Sequence, residues 1–298
     1  MVEEEYSSFQ QATDPIAHSY TVEEQFVAAK TGIEQECEDL VYVGPHFVAV
    51  VDGATSKTSR RWDGHTGGRI GATVIRDAFD SLPPEVTARQ AVDQLTMALQ
   101  QLYEQHTVVD VMQADPVQRA VASFIAVSFF RREVWLVGDC QCLLNQEHIV
   151  NPKEVDRITS LARSLFLEAE IAQGKSLDQL RQEDTGRVFI LPLLERQMIF
   201  QNNPSAGQYW FPVLDGFHVP DEGIRVLSLP EETTTIILAS DGYPVLKETV
   251  ASSEQALQDL LAEDPLLFRT YLSTKGVAAG NVSYDDRAYI KIRVNKPN

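Results

Sequence analysis

Aspartates recur in this sequence beside apolar runs of the kind that form β-strands. The clearest case is the run 47–51, five apolar residues that stop at Asp52 and Gly53. A short apolar run bounded by turn residues predicts a strand that is buried on both faces. The core would then fix Asp52 while leaving its carboxylate open to solvent. Acidic residues in similar positions, or in a pair just upstream, are Glu38, Asp39, Asp241, Asp285 and Asp286.

Carboxylates gathered at strand ends are suited to one class of ligand. Mg²⁺ and Mn²⁺ are hard cations that prefer oxygen ligands, and rigid strand ends would fix the ligand spacing. Clustered carboxylates also repel one another, so they need cations or protons. The sequence has no group of histidines and cysteines that would form a softer metal site. We therefore expect one carboxylate cluster, assembled from distant parts of the chain, that binds divalent cations.

The strands that would carry these acids come in two blocks, each followed by two helices. Residues 40–43 and 47–51, separated by a Gly–Pro turn, predict a hairpin. Apolar residues at three- and four-residue spacing behind capping residues predict helices. Predicted strands cover 27–30, 40–43, 47–51, 120–130, 134–144, 224–229, 235–239 and 288–294. Predicted helices begin at Gly67, behind Thr87, within 151–182, at Ser252 and at Pro265, the last ending near Gly276. This order favours an antiparallel α+β domain over a parallel doubly wound sheet.

The length of the chain is compatible with one large domain. Residues 1–20 are polar and without pattern, which predicts a flexible amino-terminal arm before a single domain over 21–298. Residues 183–222 are rich in Asn, Pro, Gly and aromatic residues. We expect this stretch to be irregular and flap-like, since long irregular segments in compact domains are often functional.

The charge of the chain excludes several classes of partner. It has 25 basic and 43 acidic residues, for a formal net charge of −18. Nucleic acids and anionic membranes are bound by clustered Lys and Arg, so neither is expected as a partner. No stretch approaches the roughly 18 apolar residues of a membrane span. The amino terminus is acidic where a signal peptide is basic, and the three cysteines form no disulfide pattern. We expect a cytoplasmic monomer with reduced thiols.

The order of the acidic motifs is more specific than any one of them. From residue 25 to 294 it resembles the protein phosphatase 2C family, the metal-dependent serine/threonine phosphatases. The family pattern is an acidic pair, a strand ending in Asp-Gly, a Gly-Asp strand, an Ala-Ser-Asp-Gly strand and a closing Asp-Asp or Asp-Asn. The matching segments here are Glu38-Asp39, Val51-Asp52-Gly53, Val137-Gly138-Asp139-Cys140, Leu238-Ala239-Ser240-Asp241-Gly242 and Asp285-Asp286.

The resemblance implies a fold and an activity. The fold is a β-sandwich of two antiparallel sheets flanked by helices on both sides. The activity is hydrolysis of phosphoserine or phosphothreonine in a protein by metal-bound water, at a dinuclear Mn or Mg centre in which Asp52 and Asp241 are catalytic. Two ions are implied, with a third possible. The implied ligands are Asp39, Asp52, the Gly53 carbonyl, Asp241 and Asp285, with Glu38, Asp286 and Asp115 as weaker candidates.

A dinuclear centre is physically suited to this reaction. Hydrolysis of a phosphate monoester is among the slowest uncatalysed reactions, so it requires a large stabilisation of the transition state. Two divalent ions roughly 3.5 to 4 Å apart lower the pKa of a bridging water and bind phosphoryl oxygens at the same time.

Two residues of the family pattern are missing. The histidine expected after the first Asp-Gly is replaced by Ala54, and His65 is a weak substitute for that catalytic role. The phosphate-binding arginine expected upstream is replaced by Glu34, which leaves Arg60 and Arg61 as candidates for phosphate binding.

These departures leave two alternatives to a phosphoprotein phosphatase. The chain would be a binding or regulatory protein with the phosphatase fold and weak or no catalysis, or a phosphatase of a small phosphorylated metabolite. Metal-dependent hydrolysis separates the leading hypothesis from the first alternative, and substrate profiling separates it from the second.

Overall fold

Two five-stranded antiparallel sheets form the centre of the protein. The computed structural model describes residues 20–295. One sheet has the strand order β1-β10-β9-β6-β7 and the other the order β2-β3-β4-β5-β8. The strands are β1 (Tyr20–Ala28), β2 (Leu40–Val43), β3 (Phe47–Gly53), β4 (Ala122–Ser128), β5 (Glu133–Val137), β6 (Gln141–Leu144), β7 (Glu147–Ile149), β8 (Arg225–Ser228), β9 (Thr235–Ala239) and β10 (Arg287–Val294).

Helices cover the outer faces of both sheets. The α-helices are α1 (Gly67–Ala78), α2 (Ala88–Gln105), α3 (Val109–Ala114), α4 (Glu154–Ala172), α5 (Leu177–Gln182), α6 (Thr185–Arg196) and α7 (Val250–Glu263). In the described part of the chain, no helix combines the length and the apolar character needed to span a bilayer. The α+β fold class and the sandwich of antiparallel sheets flanked by helices are confirmed.

Strand β3 shows why the apolar run 47–51 is buried on both faces. Val48 and Val50 face the other sheet and pack in the interior of the sandwich with residues such as Ile236 and Ile290. Ala49 and Val51 face the opposite way and pack against α1 and α2 in a second cluster. A third cluster lies on the outer face of the other sheet, where Ile237 and Tyr289 meet Tyr243 and Leu246. Alternate side chains of one strand thus enter different cores.

The predicted strand over 134–144 is two strands in different sheets. The chain leaves one sheet after Val137 and enters the other at Gln141. Gly138 makes this crossing with φ +93°, a left-handed conformation, and a Cβ there would collide with the Ser123 side chain. Only glycine meets both conditions. The crossing also places Asp139 between the two sheets.

Three further predictions about elements are wrong. Strand β1 occupies Tyr20–Ala28 instead of 27–30. Glu23 and Glu24 interrupt the apolar alternation in the sequence, and in the fold they pair with Lys291 and Arg293 on β10. Residues 185–196 form helix α6, capped by the Asp184 side chain, inside the stretch predicted to be irregular. Residues 265–276 are not helical, because the carboxylate of Asp264 accepts three backbone N–H groups, those of residues 268–270, and closes a turn.

Other predictions agree with the structure. The hairpin of β2 and β3 pairs Leu40 with Val51. The second predicted helix begins behind Thr87, whose side chain caps it. All three cysteines are buried and unpaired, as expected for reduced thiols. Of the predicted amino-terminal arm, residues 1–19 lie outside the described part, and Tyr20 already belongs to β1.

Candidate metal centre

A cleft of about 660 Å³ opens at one end of the sandwich. Strand β3 ends there beside the start of β4, and β9 ends beside the start of β10. The two sheets meet at this end, since the backbone N–H of Asp241 lies 3.4 Å from Asp52 Oδ2. The acids lining the cleft are Asp52, Asp139, Asp156, Asp241 and Asp285.

Three of these carboxylates converge. Asp52, Asp139 and Asp241 each offer an oxygen, and the three oxygens lie within 4.8 Å of one another. The three acids lie on different segments of the chain, at the end of β3, in the β5–β6 crossing and at the end of β9. The sequence predicted Asp52 and Asp241 as ligands but not Asp139, although Asp139 was part of the recognised motif. It, and not Asp115, joins the other two.

The electrostatics of this group fit a divalent cation. Burial raises the pKa of Asp52 well above its usual value, and the charges of Asp39 and Asp139 add to the effect. Burial likewise raises the pKa of Asp241, reinforced by Asp52 and Asp139. Within the described part of the chain, neither Asp52 nor Asp241 makes a salt bridge. Two such carboxylates beside a third need a cation or protons, and three oxygens at this spacing suit a hard divalent ion.

Asp139 and Asp285 differ because each has a lysine partner. Lys153 Nζ lies 2.6 Å from Asp139 Oδ2, and Ser123 donates a hydrogen bond of 2.7 Å to the other oxygen. Lys275 Nζ lies 2.6 Å from Asp285 Oδ1. Burial alone would raise the pKa values of both carboxylates, but the lysines outweigh it and the pKa values are lowered. Both acids are therefore charged at neutral pH.

The upstream acidic pair lies behind the cleft. Lys30 Nζ lies 3.0 Å from Glu38 Oε2, 3.0 Å from Asp286 Oδ2 and 3.1 Å from Thr55 Oγ1. These partners use all three ammonium protons. Asp286 also accepts the backbone N–H groups of Lys30 and Glu38, at 2.7 and 3.2 Å. Glu38 and Asp286 therefore tie β1, β2 and β10 together.

Asp39 is buried, with 2% of its surface exposed, and is not among the residues that line the cleft. Burial raises its pKa well above the usual value, and Asp286 and Asp285 raise it further. A side-chain hydrogen bond with Ser240 acts in the opposite direction. Asp39 is therefore close to the other acids but does not open to the cleft, and its role as a ligand stays a prediction.

The backbone beside Asp52 is closely packed. Gly53 lines the cleft, and a Cβ at this position would lie 2.6 Å from the carbonyl oxygen of Glu38 and collide with that of Gly68. Gly68 lies in the first turn of α1, and a Cβ there would lie 2.6 Å from the carbonyl oxygen of Ala54. These two glycines allow α1 to approach the strand end. The role of the Gly53 carbonyl as a ligand stays a prediction.

Four weaker candidates do not line the cleft. His65 is exposed in a tight turn and pairs its backbone with Trp62. Arg60 donates a hydrogen bond of 3.3 Å to Gln118, and Arg61 is exposed. Asp115 caps a 3₁₀ turn through the backbone N–H of Val117. The structure thus gives no geometric support to the expected roles of His65 in catalysis, Arg60 and Arg61 in phosphate binding, and Asp115 in binding a third ion.

Two other cationic side chains, instead of Arg60 and Arg61, line the cleft. Lys57 lines the cleft and makes no hydrogen bond or salt bridge with the described residues. Arg187 reaches the same space from α6, where its guanidinium donates a hydrogen bond of 3.0 Å to the Thr274 carbonyl. Burial, together with the charges of Arg187 and Lys275, lowers the pKa of Lys57 to about 8. Cations this close together favour a bound anion. No local pattern marks these residues in the sequence.

A histidine that the sequence analysis did not single out also lines the cleft. His148 Nε2 lies 2.7 Å from Gln141 Oε1. The amide nitrogen of Gln141 already donates to the carbonyls of Ser240 and Tyr243, so its oxygen must accept from His148. The proton of the neutral imidazole is thereby placed on Nε2. Burial lowers the pKa of His148, which keeps this ring neutral.

Comparison with known proteins gives matches of structure only. Neither models of protein families nor curated protein sequences match this chain. A Mycobacterium tuberculosis serine/threonine phosphatase, PstP, is similar in structure at 15% identity and a TM-score of 0.43, covering 93% of this chain and 98% of that chain. PppA of Pseudomonas aeruginosa, described as a key regulatory component of T6SS, has 13% identity and a TM-score of 0.45, covering 94% and 99%.

A third similar structure is the serine/threonine phosphatase Stp1 of Staphylococcus aureus, with 13% identity, a TM-score of 0.44 and coverage of 92% and 96%. Other structures in this group contain two manganese ions, in PstP, or magnesium, in RsbX. The solved structures that this chain is similar to include several serine/threonine phosphatases, the class whose motifs its sequence resembles.

Proposed function

We propose that this chain is a divergent member of the phosphatase 2C family and hydrolyses phosphoserine and phosphothreonine in proteins, using Mn²⁺ or Mg²⁺. The observation that carries the proposal is the convergence of Asp52, Asp139 and Asp241 at a cleft that is also lined by Lys57 and Arg187, which make no salt bridge with the described residues. Anionic ligands for a cation and cationic groups for an anion together suit a phosphate monoester.

The residues that line the cleft would have separate roles in this reaction. Asp52 and Asp241 would hold the cation, because they are half-buried carboxylates that make no salt bridge with the described residues. A divalent ion there would activate water for attack on phosphorus and offset charge on the phosphoryl oxygens. Lys57 and Arg187 would bind the remaining phosphoryl charge, replacing the family arginine. Lys153 and Ser123 position Asp139 beside these two carboxylates, where it would be a third ligand.

An apolar surface beside the cleft favours a protein substrate over a small metabolite. Helices α4 and α6 and the turn that follows carry large apolar side chains that are exposed, and Leu161 among them also lines the cleft. Exposed apolar groups concentrated in one place mark interaction surfaces. The exposed residues are Ile158, Leu161, Leu165, Val188, Phe189, Leu191, Leu193 and Ile199.

A second candidate function is that of a binding protein with weakened catalysis. The observation in its favour is that lysines already neutralise Asp139 and Asp285 at 2.6 Å each. An inactive protein would need no cation at those two acids. Asp52 and Asp241 favour the enzyme, because their charges have no such partner.

Hydrolysis of p-nitrophenyl phosphate by the purified protein distinguishes the two candidates. We expect turnover with Mn²⁺ or Mg²⁺, none with chelator, and a loss of at least about 100-fold in Asp52→Asn and Asp241→Asn. Asp115→Asn is the matched control, since it removes a carboxylate outside the cleft lining and should leave the rate unchanged. Metal-independent turnover, or equal rates in all variants, would exclude the proposed centre.

A further inference from the structure

The number of cations follows from how the acids around the cleft are neutralised. The sequence pattern implies two ions and includes Asp285 among their ligands. In the structure, Asp285 Oδ1 is 2.6 Å from Lys275 Nζ and 3.8 Å from Lys30 Nζ, and it accepts the backbone N–H of Asp286 at 3.0 Å. Oδ1 of Asp285 is thus already surrounded by donors.

Asp285 also lies outside the converging group. Among the described residues, Asp52, Asp139 and Asp241 are the only acids, histidines or cysteines that bring three ligand atoms within 4.8 Å of one another. Asp285 lines the same cleft, but its carboxylate is directed to Lys275. A second divalent ion at Asp285 would lie close to two ammonium groups, and like charges at such distances repel.

The lysine is held in place by the fold. Lys275 lies in the segment 265–276, which Arg163 binds to α4 by donating to the carbonyls of Leu266, Leu267 and Ser273. The next residue, Gly276, donates its N–H to Asp184 at 3.2 Å. Side-chain exposure of Lys275 is 20%, and its ammonium lies 3.5 Å from Thr55 Oγ1. An ammonium anchored this way stays beside Asp285.

The pairing of lysines with acids around the cleft leads to the same conclusion. Lys30 pairs with Glu38 and Asp286, Lys153 with Asp139, and Lys275 with Asp285. Among the acids that line the cleft, this leaves Asp156, which accepts a hydrogen bond of 3.2 Å from Gln197, and the two carboxylates of the converging group, Asp52 and Asp241, which balance a single divalent ion. We infer that the protein binds one divalent cation at Asp52 and Asp241, beside Asp139, and that the ammonium of Lys275 takes the place of the second cation at Asp285.

The inference rests on the cation site of the proposed function but not on hydrolysis, so metal counting tests it separately. Metal-free protein is dialysed to equilibrium against Mn²⁺, and bound manganese per folded chain is measured by atomic spectroscopy. We expect one ion in the wild type, two in Lys275→Met, and one again in Lys275→Met combined with Asp285→Asn. Lys291→Met removes a lysine that pairs with Glu23 on β1, and this control should bind one ion.

Electron paramagnetic resonance of the same samples gives a second readout. An isolated Mn²⁺ spectrum is expected for the wild type and an exchange-coupled pair for Lys275→Met. The second ion should bind Lys275→Met at least about ten-fold more tightly than any further ion binds the wild type, because an ammonium next to the site is removed. Two ions in the folded wild type, or one in Lys275→Met, would overturn the inference.

The outcomes also separate this inference from the proposed function. One ion in the wild type with no hydrolysis of any phosphate monoester would support the inference and refute the phosphatase activity. No bound manganese in the wild type would refute both. Circular dichroism spectra establish that each variant is folded before its metal content is counted.

Discussion

Arg163→Met is expected to destabilise the protein by about 3 kcal/mol or more. The Arg163 side chain is completely buried, with 0% exposed. Its guanidinium lies 2.6 Å from Asp184 Oδ2 and donates to three backbone carbonyls at 2.8 to 3.2 Å, those of Leu266, Leu267 and Ser273. Methionine fills similar space but donates no hydrogen bond, so these acceptors would be left without their partner.

The magnitude follows from what the acceptors lose. A hydrogen bond involving a charged group contributes roughly 1.5 to 3 kcal/mol, and removing one partner of a buried ion pair costs about 3 to 5 kcal/mol. The lower part of this range applies because the Asp184 side chain is 20% exposed and water can reach it. Since domains are stable by only about 5 to 15 kcal/mol, the loss would be a large fraction of the total.

Urea unfolding at 25 °C measures this effect as the change in the free energy of unfolding. Arg157→Met is the matched control on the same helix, because Arg157 is 62% exposed and pairs only with Glu154. It should leave the free energy of unfolding unchanged within error. A decrease in the free energy of unfolding below about 1 kcal/mol in Arg163→Met would contradict this prediction, because it would be close to the effect of a substitution at the surface.

Three other predictions address the cleft. Sulfate should inhibit phosphate hydrolysis less strongly as the pH rises through about 8, because Lys57, whose pKa is lowered to about 8, loses its charge there. The Lys57→Met variant should lack this pH dependence. Mn²⁺ at about 100 times its Kd should stabilise the wild type by about 2.7 kcal/mol in thermal melts, and Asp52→Asn and Asp241→Asn should lose this gain. Gly138→Ala should lower the free energy of unfolding by at least about 2 kcal/mol and weaken Mn²⁺ binding, because the left-handed backbone and the collision with Ser123 would shift Asp139. Normal melting and normal Mn²⁺ binding in this variant would contradict the prediction.

The sequence alone was sufficient for the parts of the site that are determined locally. Asp52 and Asp241 follow buried strands, and the periodicity and turn residues that end those strands are visible in the sequence. The same holds for α1 and α2, which the apolar spacing predicts, together with the capping threonine Thr87 for α2.

The remaining features depend on contacts between distant segments. Asp139 joins the cluster only because Gly138 carries the chain from one sheet to the other. Lys57, Arg187 and Lys275 lie on three separate segments that meet only in the folded cleft, so no spacing announces them. The helix expected over 265–276 fails to form because Asp264 closes a turn instead.

The most direct test of the central claim is phosphate release from a phosphothreonine peptide while Mn²⁺ is titrated into metal-free protein. We predict a rate that rises with Mn²⁺ and saturates, is absent with chelator, and is lost in Asp241→Asn. A rate that is independent of Mn²⁺, or that survives in folded Asp241→Asn, would show that the carboxylates at the strand ends do not form the active centre.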